Sequence, residues 1–220
     1  MKKLIVASAI LGVVVQGFAH DLWLVKDEKN AKMYFGHWDS GKIEKGEKFK
    51  NIEAQTILPE GMSSNVVKND DNINITLAKK GDVAVVNVRE PKKSKLNNAM
   101  NKRVMTMRAG RETTSALSDL DIAPKEANSN TFTVMYKGAP LAKTEIKVYS
   151  PTKWMKSFRT DDNGIVTIET PWQGEYFVKI EHDDKTAGIS DGVAYESTIY
   201  VTTVTFDVNN GLPWGKPMKK

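Results

Sequence analysis

The sequence contains no cysteine among its 220 residues. Without thiols the chain has no disulfide, no thiolate metal ligand, no cysteine nucleophile and no lipid-modified cysteine. A secreted protein without disulfides depends on its hydrophobic core, which suits the bacterial periplasm better than a small extracellular scaffold. A metal site in such a protein would be built mainly from imidazole, amine and carboxylate groups.

Sequence signals for several other functions are also missing. The chain has no Gly-x-Ser-x-Gly nucleophile elbow and no glycine-rich phosphate loop, so we do not predict an enzyme. The formal net charge of +5 falls to about +3 when the two lysines of a predicted leader are subtracted. The remaining positive charge is dispersed, apart from residues 92–95 and a basic tail at 209–220, so we predict no nucleic-acid partner.

Residues 1–19 have the pattern of a secretory signal peptide. Two lysines precede a mostly apolar run from Leu4 to Val15, and the small residues Gly17 and Ala19 stand where a cleavage site requires them. The apolar run is too short to span a membrane. Cleavage after Ala19 would leave 220 − 19 = 201 residues, a periplasmic protein that begins with His20.

The pattern of the mature chain predicts an all-β protein. Residues 20–91 and 130–208 form two β-rich halves in which short stretches of alternating apolar and polar residues are separated by turn signals. Residues 73–77 and 144–149 are examples of this alternation, which is typical of half-buried strands. Short strands at this spacing favour an Ig-like or transthyretin-like β-sandwich.

The segment 92–129 differs from both halves in composition, and we interpret it as the connection between them. The segment is polar, and we predict that part of it is helical, over about 94–109, with a second short helical turn over 114–120. It also contains Met100, Met105 and Met107. Thioethers are soft ligands that can bind Cu(I), but these methionines can instead fill gaps between the two halves, and we favour this packing interpretation.

Only three histidines occur in the chain, at positions 20, 37 and 182. His20 would be the mature N-terminus, where a free α-amine and an imidazole on one residue form a ready chelate for a divalent metal. His37 lies in the glycine-flanked loop 36–41, where the backbone is adaptable, and His182 ends a predicted strand. Since Ni(II), Cu(II) and Co(II) accept imidazole, amine and carboxylate ligands, these three histidines are the candidate metal ligands.

Each histidine also has a simpler interpretation. His37 fits a packed loop residue, His182 fits a surface residue among acids, and an N-terminal histidine can be an accident of cleavage. The carboxylates of Asp21, Asp39 and Glu196 are candidates for further ligands or for acceptors that orient an imidazole. Each of them alone is better explained as an ordinary surface carboxylate.

Two groups of segments together carry a family resemblance. The first group is Ala19-His20-Asp21-Leu22-Trp23-Leu24 and Gly36-His37-Trp38, and the second is Lys137-Gly138-Ala139-Pro140-Leu141, Thr160-Asp161-Asp162-Asn163-Gly164, Pro171-Trp172-Gln173-Gly174-Glu175-Tyr176 and His182. Both groups resemble a bacterial periplasmic family associated with nickel uptake, described as NikM-like and formerly classed as a domain of unknown function. The second group also resembles transthyretin-like and carboxypeptidase-regulatory-like sandwiches, which have many functions.

This resemblance implies a periplasmic β-rich protein that binds a transition metal beside an uptake system, with His20, His37 and His182 as the ligand positions. Cu(II) binds a given nitrogen site more tightly than Ni(II) does, so the resemblance, and not the ligand chemistry, selects nickel. We therefore expect a nickel-binding protein that assists an inner-membrane metal transporter, with Cu(II) or Co(II) as alternative metals.

Two other functions remain open from the sequence. In the first, the sandwich is a metal-free adaptor that binds a protein or a polysaccharide, and the histidines are incidental. In the second, the terminal histidine and another histidine hold copper in a monooxygenase, by analogy with copper enzymes that use a terminal histidine on a β-sandwich. A monooxygenase would also need a substrate-binding face, and the sequence has no evident flat aromatic strip.

Overall fold

The computed structural model describes residues 20–95 and 97–213. The predicted signal peptide and the end of the basic tail lie outside these residues. The described chain is all-β, as predicted, and its only helical element is a single 3-10 turn at Gly46–Lys48. The β-sandwich prediction is confirmed, with several sheets stacked on one another.

The described residues form eighteen strands. In chain order they are β1 (Asp21–Lys26), β2 (Asn30–His37), β3 (Lys42–Ile43), β4 (Thr56–Leu58), β5 (Ser63–Lys68), β6 (Ile73–Leu77), β7 (Val83–Lys93), β8 (Met100–Ala109), β9 (Leu120–Pro124), β10 (Thr131–Tyr136), β11 (Ala139–Pro140), β12 (Glu145–Tyr149), β13 (Met155–Arg159), β14 (Ile165–Thr167), β15 (Gly174–Asp184), β16 (Gly188–Ser190), β17 (Val193–Tyr195) and β18 (Ser197–Val208).

A seven-stranded sheet in the order β13-β12-β15-β18-β8-β7-β4 forms the central layer. On one face, a five-stranded sheet of β1, β2, β3, β5 and β6 encloses a core that includes Leu24, Met33 and Ile75. On the other face, a four-stranded sheet of β9, β10, β11 and β14 encloses a second core around Phe132 and Phe206. The two halves of the chain thus share one sheet and bury separate cores on its opposite faces.

The predicted helix over about 94–109 is wrong, because residues 100–109 form the strand β8 at the centre of the shared sheet. The strand pairs with β7 in the antiparallel sense and with β18 in the parallel sense. Met105, Met107 and Ala109 pack in the first core, whereas Arg108 and its neighbours of the same parity face the other side. Both faces of the strand are covered, so tertiary packing overrides the local helical preference. No helical turn occurs at 114–120 either.

Arg108 is the largest fully buried side chain of the described structure. Its Nη2 donates to Asp82 Oδ2 at 2.6 Å and its Nη1 donates to Asp121 Oδ2 at 2.8 Å, and none of the three side chains has exposed surface. The guanidinium also donates to the carbonyl oxygen of Thr113. Because a buried charge is tolerated only when it is paired and hydrogen-bonded, these contacts hold the residues that precede β7, follow β8 and begin β9 in one arrangement.

The two carboxylates also accept hydrogen bonds from backbone amides that are not paired in a sheet. Asp82 accepts the amides of Glu112 and Thr113, at 2.9 and 3.0 Å. Asp121 accepts the amide of Leu117 at 2.7 Å. The irregular segment after β8 is therefore built around the ion pairs, and its conformation depends on them.

We expect Asp82→Asn to lower the free energy of unfolding by about 3–5 kcal/mol, because the change leaves the Arg108 charge buried with one fewer carboxylate. The matched control is Asp162→Asn, since Asp162 is 79% exposed and pairs with Lys143 at the surface. We expect this control to lose at most about 1 kcal/mol. Urea unfolding of the chain that begins at His20 measures both values, and equal losses would contradict a structural role for the buried pair.

Candidate metal centre

The register of the first hairpin brings two of the three histidines together. β1 and β2 are antiparallel, with Asp21 opposite Gly36 and Leu22 opposite Phe35, so the next position places His20 opposite His37. Directly opposed residues of an antiparallel pair share one face of the sheet. The two imidazole centroids lie 4.3 Å apart, and the His20 ring also stacks on Phe35 at 4.7 Å.

Glu44 completes the group. The residue follows β3, and its amide donates to the carbonyl oxygen of Phe35 at 2.8 Å. Its Oε1 lies 3.2 Å from Nε2 of His20. One potential ligand atom from each of His20, His37 and Glu44 lies within 4.8 Å of the others, and no other such group of three occurs in residues 20–95 and 97–213.

Two lysines form ion pairs with the carboxylate of Glu44. The ammonium groups of Lys42 and Lys48 each lie 3.1 Å from its carboxylate, and the side chain of Glu44 is only 6% exposed. Hydrogen bonds from these two lysines, and then from His20, lower the pKa of Glu44 to about 2. Glu44 is therefore an ionised acceptor at neutral pH, and a cation that binds it competes with two ammonium groups.

His37 is the last residue of β2, where it pairs with Lys42 of β3, and so it does not lie in the predicted loop. A Cβ at Gly36 would lie 2.0 Å from the carbonyl oxygen of Lys42, so only glycine permits the close return of the chain after the loop. Gly41 turns the loop with φ of +70°. The result is a tight connection in which His37 faces Glu44 and Trp38 is buried in an aromatic cluster with Trp23 and Phe177.

His182 does not join this group. It lies on β15, opposite Tyr200 of β18, and its ring packs against Tyr136 with centroids 4.3 Å apart. Alternate residues of a strand face opposite sides of the sheet. Ile180, two residues before His182, belongs to the second core. Lys179 faces the other side, where it pairs with Asp21 of the first sheet. The fold thus places His182 on the face opposite to the other two histidines.

The other candidate ligands have different partners. Asp21 pairs with Lys179 at 2.6 Å, Asp39 accepts the amide of Ser40, and Glu196 accepts the amide of Met100 at 3.1 Å. None of these acids belongs to the group of His20, His37 and Glu44.

Two of the three methionines, Met105 and Met107, are buried, as the packing interpretation predicts, although both lie in the first core and not between the two halves. Both also line a narrow cavity of about 70 Å³ that reaches His20.

Sequence reasoning missed Glu44 and the two lysines around it. One feature of the sequence could have indicated Glu44. It is the carboxylate seven residues after His37, beyond a loop with a glycine at each end. A hairpin in that loop brings the two side chains to one face, but alternation is visible in a sequence only over longer strands. β3 has two residues and shows no such pattern.

No protein-family model, curated protein or solved structure matches this chain. The nickel-uptake resemblance therefore stays a prediction. Within the described residues there is no helix of the length and apolar character needed to cross a membrane.

A second cleft, of about 360 Å³, carries charges of both signs. It is lined by Glu175 and Asp207, together with Lys26 and Arg111. Burial and the nearby Asp207 raise the pKa of Glu175 to about 7, although Lys153 opposes the shift. The carboxylates of this cleft do not belong to the group of potential metal ligands found among the described residues.

Glu175 should make the protein less stable as pH rises. A carboxyl whose pKa is raised from 4.5 to about 7 on folding binds more protons in the native state, so stability falls between these values. We expect Glu175→Gln to leave the free energy of unfolding unchanged at pH 4 and to raise it by about 1–3 kcal/mol at pH 8. Urea titrations at both pH values measure the effect.

Glu181→Gln serves as the control, because Glu181 is an exposed residue on the same strand. It should change the unfolding free energy little at either pH. A Glu175→Gln variant that follows the wild-type pH profile would show that folding does not raise the pKa of this carboxyl.

Proposed function

We propose that this chain is a periplasmic transition-metal-binding protein that holds Ni(II) and assists a metal uptake system. The observation that carries the proposal is the hairpin register that sets His20 opposite His37, with Glu44 beside both. Two imidazoles and a carboxylate are suitable ligands for Ni(II), and also for Cu(II) and Co(II). The resemblance described above is what favours nickel among these metals.

The position of His20 adds a further donor to the proposed site. If the leader is removed after Ala19, the α-amine of His20 becomes free at the start of β1. The unperturbed pKa of such an amine is about 7.7–8.0, so its neutral form is accessible at modest cost for metal binding. The proposed donors are then the amine and ring of His20 and the ring of His37, with Glu44 supplying negative charge.

His182 has no part in this proposal. It packs against Tyr136 on the opposite face of the central sheet, and a metal held between His20 and His37 is separated from it by the sheet. This separation provides an internal control, because the chain contains one histidine that should not affect metal binding.

We expect the protein that begins at His20 to bind one Ni(II) per chain in calorimetry. His37→Ala should weaken binding by about 100-fold, since removing even a group that supports a ligand costs about 10–100-fold. His182→Ala should leave the affinity unchanged. A version with two extra residues before His20 should bind more weakly, because its α-amine no longer lies beside the ring.

Several results would contradict this proposal. Absence of both Ni(II) and Cu(II) binding would favour the metal-free adaptor. An equal loss of affinity in His37→Ala and His182→Ala would exclude the two-histidine site. Binding that is identical in the extended protein would remove the amine from the donor set and leave a site of side chains alone.

We expect Lys42 and Lys48, which form ion pairs with Glu44, to weaken metal binding. Lys48→Gln removes one ammonium that competes for the carboxylate, and we expect Ni(II) affinity to rise about fivefold, the equivalent of an exposed ion pair worth about 1 kcal/mol. Lys50→Gln is the matched control, because Lys50 is as exposed as Lys48 and pairs with Glu47 at 3.5 Å. Calorimetry that finds Lys48→Gln weaker than the wild type would show that the lysine supports the site.

A further inference from the structure

Trp154, in the C-terminal half of the chain, is exposed to solvent. Trp154 is 70% exposed, although large apolar side chains are usually buried at least in part. It lines a cleft of about 370 Å³ together with Trp172, Phe158 and Tyr176. The cleft lies on the C-terminal sandwich, and none of its lining residues belongs to the proposed metal centre.

The loop that carries Trp154 is held in place from several sides. The amide of Ser150 donates to the carbonyl oxygen of Trp154 at 2.9 Å, and the amide of Lys153 donates to the carbonyl oxygen of Ser150 at 2.9 Å. Lys153 has φ of +68°, a conformation that costs energy for a residue other than glycine. Its ammonium lies 3.6 Å from the ring centroid of the buried Trp38. The loop is thus ordered before any ligand arrives.

The opposite wall of the cleft is also fixed. The backbone amide of Trp172 donates to the hydroxyl of Tyr176 at 3.1 Å. The neighbouring residues Pro171 and Gln173 exchange backbone hydrogen bonds with Leu212, at 2.8 and 2.9 Å. The rings of Trp154 and Trp172 lie 6.3 Å apart at 76°, so two indole surfaces border one cleft at nearly a right angle.

Polar groups occur on the same rim. Lys156 and Glu169 form an exposed ion pair at 2.6 Å, and both line the cleft beside Ser150. This rim carries no net charge, so it does not select an anion or a cation. It offers hydrogen-bond donors and acceptors to a neutral ligand, next to rings that favour an apolar surface.

A pyranose sugar has this combination of surfaces. Its C–H groups form apolar faces that stack on indole rings, and its hydroxyls project at the edge, where they can bond a carboxylate and an ammonium. We propose that the cleft between Trp154 and Trp172 binds a neutral glycan, with Lys156 and Glu169 bonding the sugar hydroxyls. Because backbone hydrogen bonds already hold both walls, binding does not have to order the loop that carries Trp154.

The test is calorimetry of the full mature chain with three trisaccharides as probes: cellotriose, maltotriose and triacetylchitotriose. We expect at least one probe to bind saturably at millimolar concentration or below. Trp154→Ala should weaken that binding at least tenfold, and Glu169→Gln should weaken it at least threefold. Both residues are largely exposed, so neither change threatens the fold.

The matched control is Ile189→Ala, because Ile189 is 75% exposed on a separate two-stranded ribbon and should not affect glycan binding. His37→Ala should bind the glycan normally, which separates this proposal from the metal site. The proposal is overturned if none of the three sugars binds, or if Trp154→Ala binds them as the wild type does. It is also overturned if a proline decapeptide binds the cleft and no sugar does.

Discussion

The ion pairs of Arg108 set the constraint on which the central sheet depends. A guanidinium without exposed surface lies between Asp82 and Asp121, and a buried charge of this kind requires every partner to stay in place. Asp82 precedes β7, Arg108 is in β8 and Asp121 is in β9. The pairs therefore connect the strands of the first half to the sheet that covers the second core, and they hold β8 at the junction of the two halves.

The candidate metal site depends on this arrangement through the first hairpin. β1 is fixed on the central sheet because Thr203 donates to the carbonyl oxygen of Leu22 at 2.7 Å and Lys179 pairs with Asp21. Alternation along the fixed strand then directs His20 to the face of the first core and Trp23 to the aromatic cluster. The position of the histidine pair is thus a consequence of how the hairpin is packed, in addition to its local register.

Charge distinguishes the two proposed sites. The group proposed to bind a metal surrounds one ionised carboxylate, Glu44, with two imidazoles and two ammonium groups, so a metal ion would compete with the lysines for a single negative charge. The cleft at Trp154 has a rim without net charge and walls of indole. The proposed metal site and the proposed glycan cleft therefore lie on separate parts of the chain and differ in charge.

The sequence by itself determined the all-β class, because alternation and turn residues are local properties that survive in most of the strands. It also predicted His20, His37 and His182 as candidate ligands, of which the fold brings the first two together and places the third apart. Tertiary structure decided the rest. Residues 100–109 form the strand β8 and not a helix, because both faces of this segment are buried in the sheet. Arg108 is a core residue only because two distant carboxylates neutralise its charge. Glu44 joined the histidines across a hairpin, while the pleat of β15 turned His182 to the opposite face, since these positions depend on packing between segments that are far apart in the chain.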